Sequence, residues 1–244
     1  MLETIPSHSL ETSSAHLRRG SAPGGGPDAL PDLLLIERAR AGDERATEAL
    51  IRRYGRRLFR VARSVLADEE RAEAAVLEAY LAAFGDLSRY EPTGKFAAWL
   101  TRLAFNQARA LRVSARSSQA AVPAPATGSL AAQPEPAAGD EPGERRALEQ
   151  AIASLPAVFR TVYVLRVVEG ISGIETAASL GVHETTVRTR LYRAHRRLTP
   201  EIAQRTRAAP PLFEPSREAT ERIVSRTLAQ LTHGSMLTIS ASPP

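Results

Sequence analysis

The sequence predicts an all-α protein made of two small helical units joined by a flexible linker. Apolar residues recur at three- to four-residue intervals through most of the chain, and alternating patterns are short. The 17 Pro and 15 Gly of the 244 residues are concentrated in a few stretches, which punctuate the chain into separate units.

Residues 1–29 are rich in Ser, Thr, Gly and Pro and carry too few apolar groups to offset the entropy of ordering them, so a disordered tail is expected. Residues 30–113 read as the first helical unit. A helix from Asp32 to Ala41 is stopped by Gly42, and Asp43 is placed to cap a second with a buried stripe of Leu50, Tyr54, Leu58, Val61 and Val65. A third, from about Asp68 to Phe84, has Val76, Tyr80 and Phe84 on one face. After the polar stretch GDLSRYEPTG, a fourth from Lys95 to Arg112 turns Phe96, Trp99, Leu100, Leu103 and Ala104 inward and leaves Arg102, Arg109 and Arg112 outside.

Residues 114–143 are rich in Ala, Pro, Ser and Gly without apolar periodicity, and read as the linker. Residues 144–203 form the second unit, opening with a helix that carries Leu148, Ile152 and Leu155. Pro156 starts the next, closed by Gly170, and two shorter helices follow. Residues 204–244 form a C-terminal extension with one amphipathic helix near Ser216 to Leu231, carrying Ile223, Leu228 and Leu231. Packing on the second unit, docking a partner and remaining frayed are all open to it.

Composition narrows the function classes. Lys plus Arg total 32 against 27 acidic residues, for a formal charge of +5, and nearly all the positive charge is arginine, whose planar fork suits phosphates and base edges. Without cysteine there is no disulfide scaffold, thiol nucleophile or cysteine-containing zinc site. The five histidines show no metal-ligand spacing with carboxylates, and no glycine-rich phosphate loop is present, so neither an enzyme, a metal nor a cofactor is expected. No signal-peptide core or membrane-length apolar run is found, and membrane insertion is not expected.

The segment from Ser172 to Leu198 has the grammar of a helix-turn-helix. Ser172-Gly173-Ile174-Glu175 fits a capping box, Ala177 is small enough for close helix crossing, Gly181 suits the turn, and Val187 packs the second helix on the first. On that second helix Val187, Leu191, Ala194 and Leu198 form the apolar stripe. Thr185, Arg188, Thr189, Tyr192, Arg193 and Arg196 lie away from it and are the candidate residues for a DNA major groove. Trp99 and Phe96, at core spacing, read as packing residues.

LEQAIASLPAVFRTVYVLRVVEGISGIETAASLGVHETTVRTRLYRAHRRL resembles region 4 of sigma factors of the extracytoplasmic-function (ECF) type. LIERARAGDERATEALIRRYGRRLFRVARSVLADEERAEAAVLEAYLAAF and GKFAAWLTRLAFNQAR resemble region 2. The resemblance implies a cytoplasmic, DNA-binding subunit of RNA polymerase. Region 2 would bind the polymerase clamp and melt and read the minus-10 element, and region 4 would read minus-35. Capturing an unpaired strand requires a cationic surface and an aromatic face or pocket, and within the region 2 resemblance Tyr90, Lys95, Arg102, Asn106 and Arg109 are the candidates for it. Core RNA polymerase and promoter DNA are the implied partners, and an anti-sigma factor is a further one. On the third helix it points to Glu73, Leu77 and Glu78 as polymerase-facing, with Ala74 and Leu77 replacing the family's usual acidic residue and glutamine. Gly173 and Thr176 likewise stand where aromatic and branched apolar residues are usual. The competing reading is a stand-alone helix-turn-helix regulator that binds no polymerase.

Overall fold

Asp43 and Asp68 start the two helices around which the first unit is assembled. Each stands in extended backbone and accepts first-turn amide hydrogens, Asp43 from Arg45 and Ala46 (3.0 and 3.2 Å) and Asp68 from Arg71 (2.8 Å), which satisfies donors a helix start otherwise leaves unpaired. The computed structural model describes residues 30–66, 68–91, 95–120, 141–208 and 212–240. The expected disordered tail and most of the expected linker lie outside these residues.

Four helices make the first unit: α1 (Asp32–Arg40), α2 (Glu44–Val65), α3 (Glu69–Gly85) and α4 (Phe96–Ala120). Leu50, Tyr54, Leu58, Val61 and Val65 of α2 are all buried, as are Val76 and Tyr80 of α3 and Phe96, Leu100 and Ala104 of α4. Trp99 is half-buried and packs on Tyr90 and Phe96 with ring centroids 4.8 and 5.5 Å away, which makes it a packing residue. α4 runs past the expected end at Arg112 to Ala120, because SARSSQA contains neither proline nor glycine and nothing in it stops a helix.

The second unit contains α5 (Glu141–Ala153), α6 (Ala157–Tyr163), a wider π turn over Val164–Val168, α7 (Gly173–Leu180), α8 (Glu184–His195) and α9 (Pro200–Ala208). Leu148, Ile152, Leu155, Tyr163, Val164, Ala194 and Leu198 form its core, joined by Leu212 and Phe213 of the extension. α5 begins before the expected boundary at 144, with Pro142 in its first turn, where the missing N–H removes no helical bond. α9 was not anticipated, although Thr199-Pro200-Glu201 is a helix start and the Thr199 hydroxyl accepts the Ile202 amide at 3.3 Å.

The two units pack against each other. Val61 of α2 and Phe105 of α4 join Val162, Leu165, Ile171, Ala177, Leu180 and Val187 in one apolar layer. Beside that layer the Ser64 hydroxyl donates to Thr161 (3.0 Å) and the Arg160 guanidinium donates to the Ser64 carbonyl (2.6 Å). Finally α10 (Arg217–Ser240), longer than the sequence suggested, lies on α2 and α3 of the first unit rather than on the second.

Thr176 of α7 is fully buried in this arrangement and its hydroxyl has no hydrogen-bond partner among the described residues. An unmet buried hydroxyl costs about 1–3 kcal/mol. Thr176→Val, which keeps the shape and removes the hydroxyl, should therefore raise stability by about 1 kcal/mol, read as a melting temperature higher by ~2–4 °C.

Candidate nucleic-acid interface

Ser172 opens α7 by accepting the Glu175 amide at 3.1 Å, and Gly181 ends it with φ +63°, a left-handed conformation that a side chain disfavours. Leu180 and Val182 flank that turn, and α8 resumes at Glu184 with Val187 2 % exposed against Ala177 and Leu180. The crossing is thus fixed by Ala177, Gly181 and Val187, the positions expected from spacing. Only half of the expected capping box forms. The Glu175 carboxylate leaves the helix start and pairs with Arg57 of α2 (2.8 Å) and Lys95 (3.2 Å).

Burial of α8 on one side leaves the other side free. Val187 and Ala194 are buried and Leu191 half-buried, while Thr185, Arg188, Thr189, Tyr192, Arg193 and Arg196 are all exposed. The Thr189 hydroxyl donates to the Thr185 carbonyl at 2.9 Å, so its methyl and its acceptor lone pairs remain outward. The Arg196 guanidinium lies 6.0 Å from the Tyr192 ring centroid and that of Arg197 4.8 Å from the Phe159 ring. Together with Arg193 these side chains line a shallow hollow at the end of α8. His195 belongs to the inner side, edge-on to Tyr163 at 5.5 Å with Nδ1 bonded to the Leu191 carbonyl (3.1 Å). A shared apolar layer therefore joins the units without burying the arginine-bearing side of α8.

The first-unit candidates are arranged differently. Arg102, Asn106 and Arg109 are exposed on one face of α4, with Lys95 exposed just ahead of the helix. Tyr90 is half-buried, its ring 5.3 Å from Phe96, and burial pushes its phenol up. Most of this surface looks toward the second unit. Lys95 pairs with Glu175, and the Arg102 guanidinium lies so close to Gly181 that a Cβ there would be 3.3 Å from Nη2. Arg109 shares a cleft of about 360 Å³ with Arg112, Val113, Val158 and Arg190. Of the candidate polymerase contacts, Glu78 is exposed, Leu77 is half-buried, and Glu73 is buried with both carboxylate oxygens held by Arg222 of α10 (3.0 and 2.5 Å).

The sequence reading missed the ion pairs that hold the units together. Besides the Glu175 pairs, the Arg60 guanidinium, 5 % exposed, is bonded by Glu169 and by Glu214 (3.2 Å). Arg60 is more than a hundred residues from either partner and Lys95 is 80 from Glu175, so no local periodicity signals these pairs. Among the described residues, no group of three or more His, Asp or Glu side chains is placed to hold a metal, and no helix is long and apolar enough to cross a membrane.

Burial alone would raise the Glu175 carboxyl, but Arg57 and Lys95 outweigh it and hold it below the usual carboxylate range. Its contribution to the docked arrangement is therefore present above the ordinary glutamate value of about 4.3 and lost as pH falls through the lowered one. Glu175→Gln should loosen the contact between α7 and α2 at neutral pH, seen as faster amide exchange in both helices. The difference from the parent chain should vanish in acid.

Comparisons with known proteins add a separate line of observation. Residues 50–117 match the family description "Sigma-70 region 2" and residues 145–198 match "Sigma-70, region 4". The chain is 31% identical over 177 residues to the RNA polymerase sigma factor CnrH of Cupriavidus metallidurans, covering 69% of this chain and 92% of that protein. It is 31% identical over 177 residues to the ECF RNA polymerase sigma factor SigM of Mycobacterium tuberculosis, covering 71% and 86%. The solved structure of CnrH in complex with the cytosolic domain of CnrY is similar at 27% identity with a TM-score of 0.50, covering 71% of this chain and 97% of that one.

Proposed function

The chain belongs to the sigma-70 family, as an RNA polymerase sigma factor of the ECF type, and from that premise we propose how its two units divide promoter recognition. Residues 144–203 read the duplex minus-35 element through α8. Residues 30–113 engage core polymerase through Glu73, Leu77 and Glu78 of α3. The same unit opens the minus-10 element with Tyr90, Lys95, Arg102, Asn106 and Arg109. Residues 114–143 connect the two, and residues 204–244 form an added extension. The protein acts by binding rather than by catalysis, and it acts in the cytoplasm, where core polymerase and promoter DNA meet.

The observation that carries this reading is the two-sided character of α8. Its apolar stripe is buried while six polar or aromatic positions on the remaining surface stay open. Arginine can bond a guanine edge bidentately, threonine can touch a base edge or a thymine methyl, and the outer arginines neutralise phosphate. A stand-alone regulator would use the same helix, but it has no need of a first unit that matches sigma region 2. By analogy with CnrH, whose solved complex contains the cytosolic domain of CnrY, an anti-sigma factor is a third expected partner beside core polymerase and promoter DNA.

Arg193→Ala should weaken binding to a duplex minus-35 fragment by about 1–3 kcal/mol, as expected for a base-reading arginine. Anisotropy titrations at several salt concentrations test this, and an unchanged affinity removes Arg193 from the interface. Asn106→Ala and Arg109→Ala should impair strand opening by holoenzyme, followed with permanganate on a linear promoter, more than they impair duplex binding. The reverse ranking would refute the assignment of the first unit.

A further inference from the structure

We propose that α10 is a built-in competitor of core RNA polymerase, covering the α3 face that docks on polymerase and yielding it only on displacement. The inference rests on the reading that Glu73, Leu77 and Glu78 of α3 are polymerase-facing, and concerns the side of α3 that bears the first two.

α10 has a specific seat. Ala219 and Thr227 are fully buried and Ile223 and Val224 only 4 % exposed, and the last two belong to the same apolar cluster as Leu50 and Tyr80 of the first unit. Polar pairs fix the register beside this seat. Glu221 receives two hydrogen bonds from Arg52 of α2 (2.8 and 2.9 Å), and Arg222 gives two to Glu73 of α3. Farther along, Leu228 and Leu231 border a hollow with Phe84 of α3. Glu73, Leu77 and Phe84 recur at helical spacing on a single face of α3, so α10 consumes the Glu73 carboxylate on the face that Leu77 shares. Glu78, off that face, stays exposed.

The seat is also suited to release. Its Arg52–Glu221 pair is solvated, with side-chain exposures of 38 and 53 %, and such a pair adds little stability, while in the Arg222–Glu73 pair the arginine is 47 % exposed and the carboxylate 10 %. The rest is a short apolar strip on a helix whose other positions, including Glu218, Ser225, Arg226, Ala229 and Gln230, are exposed. Release therefore uncovers one apolar strip and one carboxylate and leaves the four-helix core of the first unit in place. Just ahead of α10, Leu212 and Phe213 are buried in the second unit, and the Phe213 amide donates to Glu149 at 2.7 Å. Phe213 holds a left-handed backbone with φ +54°, an unfavourable conformation for a bulky side chain that its buried ring and that bond enforce. The helix is thus tethered beside its seat at high local concentration, and a competitor's apparent affinity falls in proportion to the uncovered fraction. A polymerase element that takes this seat would share the chemistry of α10, a helix with apolar residues and a cation opposite Glu73.

The test uses the full chain and purified core polymerase. Arg222→Glu with Ile223→Asp sets like charges against Glu73 and an acid in the apolar seat, and should free α10, seen as faster amide exchange in α10. Core affinity should rise on the order of tenfold, with minus-35 duplex binding unchanged. Glu221→Arg, a milder disruption, should raise core affinity as well, and adding Arg52→Glu should restore the pair and return affinity to the parent value. Unchanged or weaker core binding by a chain whose α10 is freed overturns the proposal. So does failure of Arg52→Glu to reverse the effect of Glu221→Arg. Glu78→Arg separates the premise from the inference, because Glu78 is outside the covered face. If Glu78→Arg weakens core binding while freeing α10 changes nothing, the polymerase-facing reading stands and the masking is wrong. If Glu78→Arg has no effect, the polymerase-facing reading of α3 fails and the masking falls with it.

Discussion

Arg60 is a full positive charge in the interior, 5 % exposed on a helix packed on several sides, and the arrangement of the whole chain answers to it. A buried guanidinium is tolerable only with anionic partners that also accept its hydrogen bonds. Those partners come from elsewhere: Glu169 closes the π turn of the second unit, and Glu214 lies in the strap leading to α10. Neighbouring arginines of α2 repeat the device toward other elements, Arg53 to Asp32 of α1 (2.6 Å), Arg57 to Glu175 of α7 and Arg52 to Glu221 of α10. One helix therefore collects the first unit, the second unit and the extension. Any separation of the units must return Arg60 to water or to a replacement acid.

That constraint bears on how a promoter-binding subunit can rest between encounters. The minus-35 candidates on α8 are exposed while the units are docked, whereas Lys95, Arg102 and Arg109 of the minus-10 candidates are turned toward the second unit. The docked form thus leaves the α8 candidates open and turns part of the α4 candidates toward the second unit. The contacts between the units are ionic pairs around a modest apolar layer, a composition that favours reversible association over a permanent core.

Much of this was legible in the sequence wherever the cause is local. Asp43 and Asp68 as caps, the α2 stripe and Gly181 at the turn each act within one or two helical turns, and pattern alone exposes them. The six α8 candidates followed from periodicity because one buried stripe determines which positions remain outside. Glu175 was misjudged in part: its spacing from Ser172 is that of a capping box, but Arg57, distant in sequence, offers a full charge in place of a backbone dipole. The placement of α10 was equally illegible, since an amphipathic helix shows that it has an apolar side and not which neighbour receives it. α9 differs from these, because its start signal was present at Thr199-Pro200-Glu201 and went unread.

The continuation of α4 to Ala120 has a geometric consequence for the distance between the two promoter readers. Each residue in a helix advances about 1.5 Å instead of about 3.3–3.6 Å when extended, so lengthening α4 draws in the tether. Whatever shape residues 121–140 take, they bridge at most about 70 Å between the end of α4 and the start of α5. At ~3.4 Å per base pair this is the length of about twenty steps of duplex, to which the dimensions of the two units add in setting how far apart two DNA elements can be held at once.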